Sequence, residues 1–417
     1  MSGDGARREE ILQTAATLFA SSGLQTTLRE ISDTCGILPG SMYHHFESKE
    51  AIIVELVERY LDDLGRVADD ALQKFDHSSS QPIEDSLVTF GRAIAACALR
   101  NRAALLLTLY EPPAIFGDRL VKLASQTPIQ IEAAMVEMTR HGVATGEIRP
   151  RFDLGLLSER LCESMLHVGV GVSHLTPGAE NVPEIRMRIL LRGIAAQTPS
   201  NSDLDRSAAL REAREVGARW EKVAREDDRT AHLRAVARAE FGRRGYESTT
   251  MRDIATAAGL STGTVYRSFG SKDELMVSIM SAYTKGVKAM WDAVLSADST
   301  PLEKLDALMW ANIRVVDRFS DEFKIQLAWL RQSPPSSPNL DYSFGAQLRQ
   351  IKSLLAQGSK VGDLRLEGGS ADVRARCVFE AVMTSQEIIR ASGARAAQTL
   401  ARETVLRGAL ARSRSRK

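Results

Sequence analysis

Two stretches of this chain carry polar side chains at the same spacing: Thr27, Ser41, Tyr43, His44 and Lys49, and then Thr250, Thr264, Tyr266, Arg267 and Lys272. Hydroxyl, imidazole and guanidinium groups on one short segment can hydrogen-bond to base edges or to phosphate oxygens. A lysine that opens a helix adds its ammonium to free backbone N–H groups, and together these attract an anion. Other chemistry finds little support. There is no phosphate-cradling glycine loop and no nucleophile elbow, and Gly169-Val-Gly171 is too short to count, so neither a catalytic residue nor a cofactor is expected. The adjacent His44 and His45 point in different directions on a helix and lack a cysteine or carboxylate constellation, so no metal site is expected.

The elements that must hold these groups are written twice. Thr27 to Glu50 returns as Thr250 to Asp273 without a gap, and each copy reads as helix, glycine turn, second helix and a third helix opening at Ser-Lys. That is the layout of a helix-turn-helix reader of double-stranded DNA. Thr27 with Glu30 forms a capping box, and Thr250 can cap the same helix of the second copy with Asp253 three positions on. Gly36 and Gly259 end that helix where a left-handed backbone is required. Ser261 caps the next helix and Leu260 can staple to Val265; the first copy puts Leu38 at the cap and Pro39 at the first helical position, keeping only an Ile37–Met42 staple. Gly40 and Gly263 allow close backbone approach to a duplex. Ser41, His44 and His45, or Thr264 and Arg267, remain to meet it. Tyr43 and Tyr266 suit packing inward with the hydroxyl on a phosphate, and Phe46 and Phe269 are core residues.

Composition sets the bounds. The 417 residues, 44% hydrophobic, have room for about two to four domains with sizeable cores. No run approaches the roughly 18 apolar residues of a membrane span, and Met1 to Arg7 lacks a secretory apolar run, so a cytoplasmic location and no membrane partner are expected. Cys35, Cys97, Cys162 and Cys377 are scattered without a CxxC pair and read as reduced, buried small hydrophobes. A net charge of +1 is not the bulk basicity of a nonspecific nucleic-acid binder. The copies also differ: about three more acidic than basic side chains lie between Met1 and Glu50, whereas Lys222 to Glu274 is basic by about two. Unequal DNA contacts are the expectation.

Apolar residues recur at three- and four-residue spacing, as in Ile11-Leu12-Ala15-Leu18-Phe19 and Leu233-Val236-Ala237-Phe241. An all-α protein follows. Gly146-Glu-Ile-Arg149 lies about as far past Gly23 as Gly362-Asp-Leu-Arg365 lies past Gly245, so the repeat is a unit of about two hundred residues. The expected division is a first reader at 1–50, a first helical ligand and dimerisation domain at 51–197, a linker and linking helix at 198–226, a second reader at 227–274, a second helical domain at 275–412 and a basic tail at 413–417, a solvated terminus rather than a DNA arm. Within the linker, Leu204 to Glu226 reads as one helix.

Gly36-x-x-x-Gly40-x-x-Tyr43-x-x-Phe46-x-Ser48-Lys49 and Gly259-x-x-x-Gly263-x-x-Tyr266-x-x-Phe269-x-Ser271-Lys272, with Phe19-x-x-x-Gly23 and Phe241-x-x-x-Gly245 upstream, resemble the DNA-binding domain of the TetR family of bacterial transcriptional regulators. The resemblance implies three N-terminal helices that read DNA, following helices that enclose an effector, and two last helices that build a four-helix dimer interface. It places DNA contacts on Thr27, Ser41, Tyr43, His44 and Lys49 and on Thr250, Thr264, Tyr266, Arg267 and Lys272. The tandem layout also resembles actinobacterial regulators of lipid-uptake and lipid-degradation operons, which implies a fatty-acyl, steroid-like or acyl-CoA effector.

Two unlike readers on one chain allow an intramolecular pseudo-dimer, with Asp153–Gly171 and Glu184–Ala196 packing on Ala371–Ala391 and Ala396–Ala411; a homodimer of tandem chains is the alternative. For a small apolar effector the candidates are Leu106, Tyr110, Met135, Met138, Met165 and His167 in the first unit and Trp310 and Trp329 in the second, all of which serve equally well as core. The function this supports is a one-component regulator, a repressor released from its operator by that effector. The competing reading is a helical interaction scaffold with one or both readers inactive.

Overall fold

The computed structural model describes residues 3–22, 26–78, 80–109, 117–124, 128–171, 178–223, 229–246, 248–331 and 344–411. As the apolar periodicity predicts, they are helical throughout, with two isolated bridges in place of any sheet. The first unit runs α1 (Gly3–Ser22), α2 (Leu28–Thr34), α3 (Pro39–His45), α4 (Lys49–Lys74), α5 (Ile83–Arg100), α6 (Arg102–Leu109), α7 (Asp118–Ala124), α8 (Ile129–Ala144), α9 (Leu154–Leu166), α10 (Val168–Gly171) and α11 (Val182–Arg192). The connection carries α12 (Asn201–Arg206) and α13 (Ala208–Val223). The second unit runs α14 (Arg229–Arg244), α15 (Met251–Ala257), α16 (Thr262–Ser268), α17 (Lys272–Ser296), α18 (Pro301–Arg318), α19 (Ser320–Arg331), α20 (Phe344–Val361), α21 (Ala371–Ala381), α22 (Gln386–Ser392) and α23 (Ala394–Ala401), closing on a π-helical turn, Arg402–Leu406.

Local sequence explains where the long helices begin and which face they bury. Ser48 and Ser271 cap α4 and α17 by accepting from Ala51 N and Glu274 N, and Thr300 with Glu303 closes a capping box on α18 ahead of Pro301. On α4 the stripe Ile53, Val57, Tyr60, Leu64 and Ala68 is buried, at the three- and four-residue interval that one helical face requires. The linking segment departs from a single helix: Ser207 takes an extended ψ of 144° and its hydroxyl accepts from Leu210 N, so α12 stops and α13 is capped afresh. Leu210 and Ala213 of α13 are then buried against α17 and α18. All four cysteines are buried and free.

The two units share one continuous apolar core. Helix α11 packs on α21 and on the π-helical turn, and α9 packs on α22, the segments expected to form the bundle. Arg160 on α9 is buried there, donating to the Ala381 and Met383 carbonyls at 2.6 and 3.3 Å and to the Thr404 hydroxyl at 3.0 Å. The last segments then cross. Arg149 N donates to Ala409 O (3.1 Å) and Ala411 N to Glu147 O (2.7 Å), while Arg365 N donates to Ile194 O (2.7 Å) and Ala196 N to Asp363 O (3.0 Å). Each unit's Gly-acid-aliphatic-Arg turn therefore pairs with the other unit's tail, a reciprocal exchange that two-fold-related partners make.

Candidate nucleic-acid interface

Both readers are built by the same local bonds. Glu30 N donates to Thr27 Oγ1 (3.2 Å) and Thr27 N to Glu30 Oε2 (2.6 Å); Asp253 N and Thr250 repeat the exchange at 3.1 and 2.9 Å, so the second copy has a full capping box as well. Those bonds hold both acids ionised. The Glu30 carboxyl lies below its ordinary value chiefly through the Thr27 N–H, and the Thr250 hydroxyl and N–H, with Arg244, bring Asp253 down to about 2. Gly36 and Gly259 turn the chain at φ of +65° and +66°, where a Cβ is disfavoured.

The recognition helices α3 and α16 differ in how their polar groups are braced. On α16, Ser261 Oγ lies 2.9 Å from Thr264 Oγ1, which accepts from Arg267 Nη2 at 3.2 Å, so cap, hydroxyl and guanidinium form one chain along the helix face. On α3 the equivalent positions are Leu38, Ser41 and His44. Leu38 takes the same extended cap conformation (φ −69°, ψ 144°) as Ser261 (φ −76°, ψ 146°) but has no oxygen to give, and its side chain is 76% exposed. Ser41 and His44 are exposed. His45 turns back toward Asp4 of α1, with Nδ1 3.4 Å from its carboxylate, so it is not on the reading face.

The tyrosines do not pack inward as their apolar rings suggest: Tyr43 is 60% and Tyr266 50% exposed. Met42 and Val265, the staple residues one position earlier, are buried in their place, together with Phe46 and Phe269. Lys49 is half-buried and burial lowers its pKa, with Glu30 opposing. Lys272 donates to the Tyr246 carbonyl at 3.0 Å and stands 4.2 Å over the Tyr246 ring, whose hydroxyl bonds Asp273. Tyr246 thus fixes Lys272, a role missed in the sequence; its place directly after the signature Gly245 is the signal that was available.

Of the effector candidates, Leu106, Met135, Met138 and Met165 are buried core side chains, and His167 caps α9 with Nδ1 2.8 Å from Glu163 O. Trp310 lines a cleft of about 590 Å³ between α13, α18 and α23. Tyr110, Gly23 and the tail 412–417 lie outside the described residues, as does the side chain of Trp329. No described helix is long and apolar enough to cross a membrane.

Two capped helix-turn-helix motifs on an all-helical chain define a DNA-binding transcriptional regulator. The family description "Bacterial regulatory proteins, tetR family" matches residues 11–56 and 233–279. The HTH-type transcriptional repressor KstR2 of Mycolicibacterium smegmatis is 34% identical over 199 residues, covering 45% of this chain and 90% of the relative; KstR2 of Rhodococcus jostii is 31% identical over 201 residues, covering 47% and 94%. The solved structure of the ketosteroid transcriptional regulator KstR2 of Mycobacterium tuberculosis matches at 27% identity over 44% of this chain and 92% of that chain, with a TM-score of 0.35. The chain belongs to the TetR family, and its length accommodates two such relatives in tandem.

Proposed function

We propose that one chain serves as its own dimer and represses transcription from an operator of two unlike half-sites. The observation that carries this is the reciprocal pairing of 147–149 with 409–411 and of 363–365 with 194–196, because it gives each unit the other as its two-fold partner. The division into readers at 1–50 and 227–274, helical domains at 51–197 and 275–412 and a linker at 198–226 belongs to the same reading. Half-sites would lie about 34–36 Å apart, or a multiple, so that both readers face one side of the duplex.

Thr27, Lys49, Thr250 and Lys272 position the readers on phosphates, while Ser41 and His44 or Thr264 and Arg267 meet base edges, with Tyr43 and Tyr266 reaching outward beside them. Open space around Gly40 and Gly263, where an added Cβ would touch nothing within 4 Å, supports these as faces kept clear for a large partner. Repression rather than activation follows the relatives, which are named repressors. A small apolar effector between the middle helices of one or both units would favour a conformation with the wrong separation of α3 and α16 and release the operator by population shift.

Footprinting on the chain's own upstream intergenic DNA, at stated salt because phosphate contacts make affinity salt-dependent, tests the reading. Two unlike protected half-sites, weakened separately by paired substitution of Lys49 with Tyr43 and of Lys272 with Tyr266, are expected. Failure to select any fragment from the whole genome would leave a scaffold instead.

A further inference from the structure

We propose that the cleft between the linking helix α13, α18 and α23 is a binding site for a small organic oxyanion with an apolar body. It is distinct from an effector site enclosed by the middle helices of a unit, because one of its walls is α13, an element of the connection between the two units. The inference does not depend on operator release, since binding is read on the protein itself.

Charge comes first. Arg214, Arg314, Arg395 and Arg402 line the cleft against one carboxylate, Asp205. Arg402 is already satisfied, bidentate to the buried Asp306 at 2.7 Å and 2.9 Å from Asp205, and Arg314 bonds Asp317 of its own helix at 2.8 Å. Arg395, in contrast, is exposed and has no acidic partner among the described residues. It stands in the first turn of α23, whose cap residue Gly393 supplies no side-chain bond to the free N–H groups. A cation and an uncapped helix start therefore coincide at one end of the cleft, the combination that favours an anion.

Gln398 supplies an independent observation. It lines the same cleft and is only 8% exposed, and its amide Nε2 has no hydrogen-bond partner. Native interiors pair such groups; Nε2 is itself buried, so rotation of the Gln398 side chain toward the cleft is what would bring it to an acceptor on a bound molecule. The apolar wall is Trp310, half-buried; at Gly217 an added Cβ would lie 3.3 Å from Trp310 Cη2, so α13 comes up to the ring edge with no side chain between. Guanidinium groups, an amide donor and an indole beside about 590 Å³ of space match an acid carried on a ring system.

The test is titration of the full chain with pyrenebutyrate and with its uncharged counterpart, pyrenebutanol, followed by pyrene fluorescence anisotropy. One saturable site per chain is expected for the acid, with the alcohol weaker by about tenfold or more. Arg314→Gln with Arg395→Gln should weaken the acid by about tenfold and leave the alcohol unchanged, Gln398→Leu should weaken the acid alone, and the surface control Arg66→Gln should change nothing. Should the double variant lose its cooperative melt, Arg395→Gln alone stands in for it, because that side chain has no acidic partner among the described residues. Equal affinity for acid and alcohol, acid binding untouched by loss of the arginines, or no saturable binding of the acid would each overturn the assignment.

Discussion

Gly193 and Gly408 stand backbone against backbone where the tails of the two units cross: a Cβ on Gly193 would lie 2.4 Å from the Arg407 carbonyl carbon, and one on Gly408 2.1 Å from the Arg192 carbonyl carbon. Both glycines have positive φ, +72° and +78°. On either side the main chains exchange bonds in equivalent pairs, Ile194 N to Val405 O at 2.9 Å and Ala409 N to Leu190 O at 3.0 Å. The crossing is thus the point at which one unit recognises the other, and it is made of backbone, which cannot move aside.

Gly193→Ala and Gly408→Ala should therefore each destabilise the chain by about 3 kcal/mol, from the left-handed conformation together with the backbone overlap. Thermal melts of the two variants check this. Gly146→Ala, also at positive φ (+78°) but with nothing within 4 Å of the added carbon, should cost less.

Leu38→Ser should stabilise the first reader by about 1 kcal/mol, because the backbone already has the cap conformation in which Ser261 accepts from Thr264 N. Chemical denaturation followed by hydrogen exchange within 28–45 is the measurement, with protection expected to rise in α3. The same change supplies the oxygen that α3 lacks beside Ser41.

Arg160→Met should cost about 2–4 kcal/mol even though it fills similar space, since the Ala381 and Met383 carbonyls would be left without their donor inside the interface. Burial lowers the Arg160 pKa only to about 10, so the guanidinium is charged at neutral pH. Denaturant titration reads the loss.

Burial, reinforced by the charges of Glu387 and Glu159 against the Ser385 hydroxyl bond and Arg160, pushes the Glu163 carboxyl up to about 8. The folded chain then keeps a proton that the unfolded chain releases near pH 4.5, so this group's contribution to stability is fully present below that pH and is lost as pH rises toward 8. Glu163→Gln should match the parent's melting temperature at pH 5 and exceed it at pH 9, a gain of about 2–4 kcal/mol. Parallel melts across that range decide it.

What the sequence reveals follows from how local each feature is. Caps, glycine turns and buried stripes depend on residues within four positions of each other, and Thr27 with Glu30, Gly36 and the stripe Ile11-Leu12-Ala15-Phe19 were all legible. Tyr43 and Tyr266 were misread because inward and outward placement differ by one helical position, and Met42 and Val265 already held the inward one. The helix break at Ser207 was hidden by a run rich in alanine and arginine that reads as continuous. The partners of Arg160, the crossing at Gly193 and Gly408 and the Arg402–Asp306 pair join residues from about 96 to 244 positions apart, and no local pattern signals them.

The central claim is that a single chain is the DNA-binding unit, and the mass of its operator complex tests it most directly. Native mass measurement of the chain on a duplex spanning its footprint should give one 45.7 kDa chain per pair of unlike half-sites. Two chains on four half-sites, or two chains required for any specific complex, would contradict it.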